Sequence, residues 1–372
     1  MRYTSCRTSF RQGGFGLVEI MIGLLIGIIS MLVMLQMLSI SSKQNGVTNS
    51  GNDATNEGAI ALYSLKSEIS MAGYGLSDLS ILGCSLQLRT GVSVNIAPVT
   101  INPTNITGLG FSRDAATDSL IVMYSGTNGA PLGDVVSGAN NAMQTINAFA
   151  VGDWVIAVPI TRATPCNLTL DKVTALATVN GSTNPNAITL NSGSTLTAGM
   201  RVFNLGNSFR VAGFALYNAN LTTCDYTNTA TDCTQAANWI SMAPNIASLR
   251  VQYGRETVAA ASMNAQVNLY DQTSPDLTGA TNAACSWARI PGLRLALVAR
   301  SAQPSSGATQ TAPVWDGQFA GNPTATSTAT AIDLSANTSW QNYRYKVFQT
   351  TLPLRNITWV VSDPTWAGKS SC

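Results

Sequence analysis

The stretch FGLVEIMIGLLIGIISMLVMLQMLSI, residues 15 to 40, decides how this chain is read. Between Glu19 and Lys43 it holds no charge. At ~1.5 Å per residue, a helix from Ile20 to Ile40 spans roughly 30 Å, the thickness of a bilayer's hydrocarbon core. Ahead of it lies MRYTSCRTSFRQGG, with Arg2, Arg7 and Arg11 and no acid. Basic flanks stay on the cytoplasmic side, so the remainder of the chain is directed outward. A secretory signal peptide is one alternative, but its apolar region runs only ~7–15 residues and ends at a small-residue cleavage site. Here the run is longer, and Ser39-Ile40-Ser41 is the nearest approach to such a site. An uncleaved anchor is the other alternative. It accounts for the length and the arginines and leaves Glu19 without a reason.

A carboxylate at the centre of a membrane span costs ~2.5–3.5 kcal/mol on insertion scales, and less near the edge. Cleavage after Gly14 would create a compensating charge. The new α-amine of Phe15 would sit at the helix start, four residues before Glu19, where the helix N-terminus itself favours an anion. The amine of a neighbouring subunit could then pair with Glu19 as helices bundle.

Charged residues make up 10% of the 372, against roughly 25% in ordinary soluble domains. Gly, Ser, Thr, Asn and Ala fill the gap, which together with strand-like runs points to an exported, loop-rich β protein. The net charge of +2 and the absence of a basic cluster after the first residues give no reason to expect nucleic acid as the main partner. There is no histidine, which removes Ser-His-Asp and Cys-His catalysis and His-ligated metal sites. No Walker loop, dinucleotide fingerprint, HExxH or GxSxG elbow occurs, so neither an enzyme nor a cofactor is expected. Of seven cysteines, Cys6 would leave with a cleaved leader. The other six (Cys84, Cys166, Cys224, Cys233, Cys285 and Cys372) are candidates for disulfides in an oxidising compartment, with many pairings open. Cys224 and Cys233 are the simplest pair, because the intervening DYTNTATD is polar and turn-like. Asp225, Asn228 and Asp232 within it do not have EF-hand spacing, so a disulfide-closed hairpin is preferred to a cation loop.

The run Gly14-Phe15-Gly16-Leu17-Val18-Glu19 and the apolar helix after it resemble the class III signal of type IV pilins and pseudopilins. The resemblance implies cleavage by a prepilin peptidase between Gly14 and Phe15, N-methylation of Phe15, and a role for Glu19 in assembly. Cleavage would take three of the 20 basic residues and leave 17 against 18 acids. Major pilins usually kink this helix with a proline, whereas the first proline here is Pro98.

Polar residues and the glycines 46, 51 and 58 follow the apolar run. Each glycine costs ~1 kcal/mol against alanine in a helix, which predicts a weakened or partly unwound stretch. Leu62, Leu65, Ile69 and Ala72 then form one apolar stripe suited to packing on a sheet, ended by Gly73-Tyr74-Gly75. Strands are predicted at 85–89, 92–96, 119–125, 153–160, 187–190, 200–205, 208–218, 247–254, 293–301 and 345–354. The segments 125–141 and 304–340 read as exposed loops, and the late tryptophans, Trp287, Trp315, Trp340, Trp359 and Trp366, as core or edge packing. The expected fold is therefore α+β and pilin-like, a long N-terminal helix packed on an antiparallel β-rich body. Its divisions are a leader at 1–14, a transmembrane and assembly helix at 15–40, a linker and amphipathic helix at 41–78, and the body at 79–372.

Several runs in order narrow the likeness to the large minor pilins of the PilW family, themselves similar to J-type minor pseudopilins. These are Met71-Ala72-Gly73-Tyr74, the strand from Asp118 to Val122, Val151-Gly152-Asp153, Arg210 to Tyr217, Val251-Gln252-Tyr253-Gly254, Trp287 with Leu293 to Arg300, Val347 to Thr351, and Leu354-Arg355-Asn356. The resemblance implies a minor pilin taking part in initiation of type IV pilus assembly, at low copy or at the tip. Its partners would be the prepilin peptidase, other minor pilins, the major pilin and a tip adhesin. The chain would cross the inner membrane once, with its body in the periplasm, and later stand in the pilus at the cell surface. A type II secretion pseudopilin, or a pilus-borne adhesin or DNA-uptake module, are the alternatives.

Overall fold

A computed structural model describes residue 14 and residues 16–76, 78–107, 113–126, 133–177, 186–257, 265–275, 283–304, 310–318 and 331–357. Helix α1 runs Leu17–Met71. The chain divides into two units at Asn52 and Asp53. In the first, every side chain from Leu17 to Ser42 is exposed, and this is a helix long and apolar enough to cross a membrane, with a mean hydropathy of 2.6. The predicted unwinding does not occur: α1 is unbroken through Gly46, Gly51 and Gly58. Once a helix is nucleated, each further residue adds a hydrogen bond, so isolated glycines are carried by their flanks.

Among the described residues, the second unit holds the end of α1 and sixteen strands. In chain order they begin with β1 (Ser85–Arg89), β2 (Val92–Asn95), β3 (Val99–Ile101), β4 (Leu120–Tyr124), β5 (Asp134–Val135) and β6 (Trp154–Val158). Then come β7 (Asn167–Leu176), β8 (Ile188–Leu190), β9 (Arg201–Gly206), β10 (Arg210–Tyr217) and β11 (Asn220–Asp225). The last are β12 (Ile240–Ala243), β13 (Ile246–Arg255), β14 (Leu269–Asp271), β15 (Gly292–Arg300) and β16 (Tyr345–Pro353). They form three sheets, ordered β2-β1-β7-β6-β9-β5 with β8 on β7, β12-β11-β10-β4-β3, and β14-β13-β15-β16. The α+β class holds. One pair departs from the antiparallel expectation: β1 and β7 run parallel, Ser85 opposite Asn167. Parallel neighbours need a long crossover, and the 82 residues separating Cys84 from Cys166 supply it. Their disulfide joins the two strands at their starts, where the Ser85 N–H donates to the Cys166 carbonyl at 2.9 Å.

Of the predicted apolar stripe, Leu65, Ile69 and Ala72 are buried and Leu62 is half-buried beside them. Ala54, Ala61, Leu65, Ile69 and Ala72 enter one core with Val122 and Phe214 of the second sheet and Leu249, Leu295 and Leu297 of the third. Gly58 lies on the same face, and its role is close approach. A Cβ there would stand 2.2 Å from the Phe348 ring and 2.9 Å from the Ala299 Cβ. Alanine would gain ~1 kcal/mol of helix propensity, but overpacking a filled core costs ~1–3 kcal/mol, and the Ala299 methyl sits on a central strand and cannot swing away. Gly58→Ala is therefore expected to lower the urea midpoint of the full chain in detergent; a raised midpoint would contradict this packing.

Two polar contacts set the helix on the sheets. Glu57 accepts from the Asn245 amide at 2.8 Å, and Glu68 accepts from the Tyr124 hydroxyl at 3.0 Å, with Arg210 at 3.6 Å. Burial, reinforced by Glu68, pushes the Tyr124 phenol up to about 12. Deeper in the core, Tyr253 meets Trp287 edge-on at 5.9 Å and accepts from the Ile101 N–H at 2.6 Å. Burial pushes its phenol up to about 12 as well, against the pull of that hydrogen bond.

The segments predicted as exposed loops are partly interior. Trp315, Ile332 and Leu334 are buried against Ala296 and Val298. The reason is legible in β15 itself: on the face turned from the helix, Ala296 and Val298 lie between Arg294 and Arg300, and those two apolar side chains require a cover. Within 125–141, Ser125, Asp134, Val136 and Asn141 are buried and β5 pairs with β9. Six strands lay outside the sequence prediction, β3, β5, β7, β11, β12 and β14. Most are short, and in β11 the NLTTCD composition carries little apolar alternation.

Candidate functional site

The candidate assembly segment starts at Gly16, whose carbonyl accepts from the Glu19 and Ile20 N–H groups at 2.9 and 3.2 Å and so opens α1. Gly14 is exposed; Phe15 lies outside the described residues. Glu19 stands in the first helical turn with its side chain exposed. Its carboxylate makes no hydrogen bond or ion pair among the described residues. At about 100° per residue, Gly16, Gly23, Gly27 and Ser30 fall within about 60° of arc, and Glu19 lies at its border. Nothing stands within 4 Å of a Cβ placed at any of the three glycines, so this face admits the close approach of another backbone. The Ser30 hydroxyl is satisfied by the Ile26 carbonyl at 2.8 Å. Sequence reading found the acid and missed the small-residue face beside it, although the Gly-x-x-x-Gly spacing at 23 and 27 was there to be read.

At the other end, α1 stops where left-handed backbone takes over, with φ of 78° at Gly73 and 71° at Gly75. The orphan carbonyls of the last turn are met from far away in sequence. The Asn356 amide donates to the Ala72 and Met71 carbonyls at 3.0 and 3.2 Å. The Gly73 N–H donates to the Met123 carbonyl at 2.8 Å. No sequence signal marks Asn356 for this task, because its partner is 284 residues away.

The structure joins Cys84 to Cys166 and Cys224 to Cys233. Cys285 is also disulfide-bonded, and the candidate Cys372 lies outside the described residues. Inside the 224–233 loop, Asp225 accepts from the Thr227 N–H at 2.9 Å and Asn228 from the Ala230 N–H at 3.0 Å. Asp232 accepts from the Thr234 N–H at 3.0 Å. These groups hold turns, and no cluster suited to a metal occurs among the described residues. Arg89 fastens the loop to the first sheet through the Asn228 and Thr231 carbonyls, each at 2.9 Å. Trp287 and Trp315 are buried and Trp340 is half-buried, as packing requires, while Trp359 and Trp366 lie outside the described residues.

The second and third sheets are locked by a buried ion pair. Asp118 accepts from the Val251 N–H at 2.9 Å and the Asn102 amide at 3.0 Å, and stands 3.6 Å from the Arg250 guanidinium. Both charged side chains are 4% exposed. Burial holds Arg250 below its ordinary value, opposed by Asp118. A second Arg250 nitrogen donates to the Ala331 carbonyl at 2.7 Å, tying in the segment that covers β15.

Comparison with curated proteins returns no match, and comparison with solved structures returns none. One family model matches, that of the Type IV Pilus-assembly protein W, over residues 215–356. The matched region runs from β10 to just beyond β16, and it holds Arg250, the third sheet and the helix-capping Asn356. From β10 onward, then, this chain is similar to the PilW family, and that similarity supports a role related to the type IV pilus.

Proposed function

We propose that the chain is a minor pilin that takes part in initiating a type IV pilus. The observation that carries this reading is a single acid, Glu19, in the first turn of an exposed apolar span, Leu17–Ser42, followed along the chain by a large β body. A prepilin peptidase would cut between Gly14 and Phe15, and Phe15 would be N-methylated. The freed amine and Glu19 would then pair between subunits, along the face lined by Gly16, Gly23 and Gly27. The helix would cross the inner membrane with the body in the periplasm until assembly carries it out. A body this large is difficult to repeat densely along a shaft, which favours a low-copy or tip position beside other minor pilins, the major pilin and a tip adhesin. No catalytic step is assigned to it.

The test reads the N-terminus. In cells with an active prepilin peptidase, mass spectrometry of the purified protein is expected to find N-methylated Phe15 as the first residue. Intact Met1 in those cells would remove the proposal. The peptidase-deficient strain should keep the leader and yield no protein in sheared pili.

A further inference from the structure

A cavity of about 570 Å³ opens on the body, within the ~300–1,000 Å³ range of small-ligand pockets. It lies where the β10–β11 turn, the end of β15, the start of β16 and the covering segment 333–340 converge. We propose that it binds an acidic saccharide, a sugar ring bearing a carboxylate.

Unspent donors carry the inference. Arg300 stacks on Tyr343 at 4.7 Å, yet its guanidinium makes no hydrogen bond or ion pair among the described residues, and its buried Nε has no partner. Three further lining side chains have donors without protein partners among the described residues: the Asn218 amide, the Asn337 Nδ2 and the Trp340 indole N–H. All four residues line the cavity, with Asn218 and Asn337 exposed and Arg300 and Trp340 half-buried. A free guanidinium asks for a carboxylate, which it can grip with two parallel hydrogen bonds. Amides and an indole N–H suit hydroxyl oxygens, while Trp340 and Tyr345 offer aromatic surface for the C–H face of a ring.

The two lining acids fit this assignment. Both Asp114 oxygens are engaged by the Asn218 and Ala219 N–H groups, at 2.9 and 2.7 Å, so this carboxylate builds the wall. Asp333 accepts from the Ser335 side chain and from the Ser335 N–H at 2.9 Å, which with Arg250 nearby hold its carboxyl below its ordinary range, so it too is engaged by the protein. A nucleic acid would require a basic track, whereas the two lining arginines here, Arg113 and Arg300, are matched by two acids. The inference stands whether or not the chain enters a pilus.

Saturation-transfer NMR on the full chain in detergent micelles tests it, with N-acetylneuraminic acid and glucuronic acid as probes and galactose and glucose as neutral controls. Transfer to the acidic sugars is expected to exceed that to the neutral ones at least ~5-fold, since a charge-assisted pair is lost in the latter. Arg300→Gln should remove most of the difference. Asn218→Gly, at a φ of 51° that glycine adopts freely, should weaken transfer with the melting temperature unchanged. Absence of transfer with every probe, equal transfer to acidic and neutral sugars, or full transfer in a folded Arg300→Gln variant would each overturn the assignment.

Discussion

Glu19→Ala is expected to leave the protein in the membrane at its normal level and to lower its recovery in sheared pili by roughly tenfold or more. Two opposing terms decide the size of the effect. A lone carboxylate in an apolar span costs ~2.5–3.5 kcal/mol, so alanine makes membrane insertion easier. Pairing with an α-amine at ~4 Å yields on the order of 4 kcal/mol at an effective dielectric of ~20, and that attraction exists only when a neighbour's amine is present. The variant thus loses what draws subunits together and nothing that holds it in the bilayer. About 1.4 kcal/mol of lost attraction already amounts to tenfold. Glu19→Gln should resemble alanine more than wild type, because the amide keeps the shape and loses the charge. Wild-type recovery of Glu19→Ala in the pilus fraction, measured by quantitative immunoblot against the membrane fraction, would refute the pairing.

Asp118→Ala is expected to destabilise the body by about 3–5 kcal/mol, the usual cost of leaving a buried ionic partner alone. Arg250 would remain charged at 4% exposure, and the Val251 N–H and the Asn102 amide would lose their acceptor. Urea unfolding of the full chain in detergent measures the loss. Removing both charges together, as Asp118→Ala with Arg250→Met, should recover part of it, since replacing a whole buried pair costs far less than breaking one. A single-variant loss below about 1 kcal/mol would mean that the two sheets do not depend on this contact.

The N-terminal apolar helix is legible because its signal is local. A bilayer-length apolar run, three arginines ahead of it and one acid lie within the first 43 residues, and each can be read without the rest of the chain. The helix stripe at Leu65, Ile69 and Ala72 and ten of the strands are similarly local, written in a period of 3.6 or 2. Gly58 shows where such reading fails. Propensity marks it as a helix weakness, whereas the Phe348 ring and Ala299, more than 240 residues on, leave no room for a side chain there.

By itself, then, the order of residues determined the exposed apolar helix, its acid, the class of fold and the polar hairpin closed by Cys224 and Cys233. Tertiary structure alone decided that Asn356 caps a helix ending at Met71, that Asp118 and Arg250 neutralise each other, and that β1 lies parallel to β7. It also laid Trp315, Ile332 and Leu334 over Ala296 and Val298 of the third sheet. The division has one cause. Periodicity and charge are properties of neighbours along the chain, whereas a cap, a buried ion pair or a covered sheet face is satisfied by whichever distant group the packed core brings within about 3–4 Å.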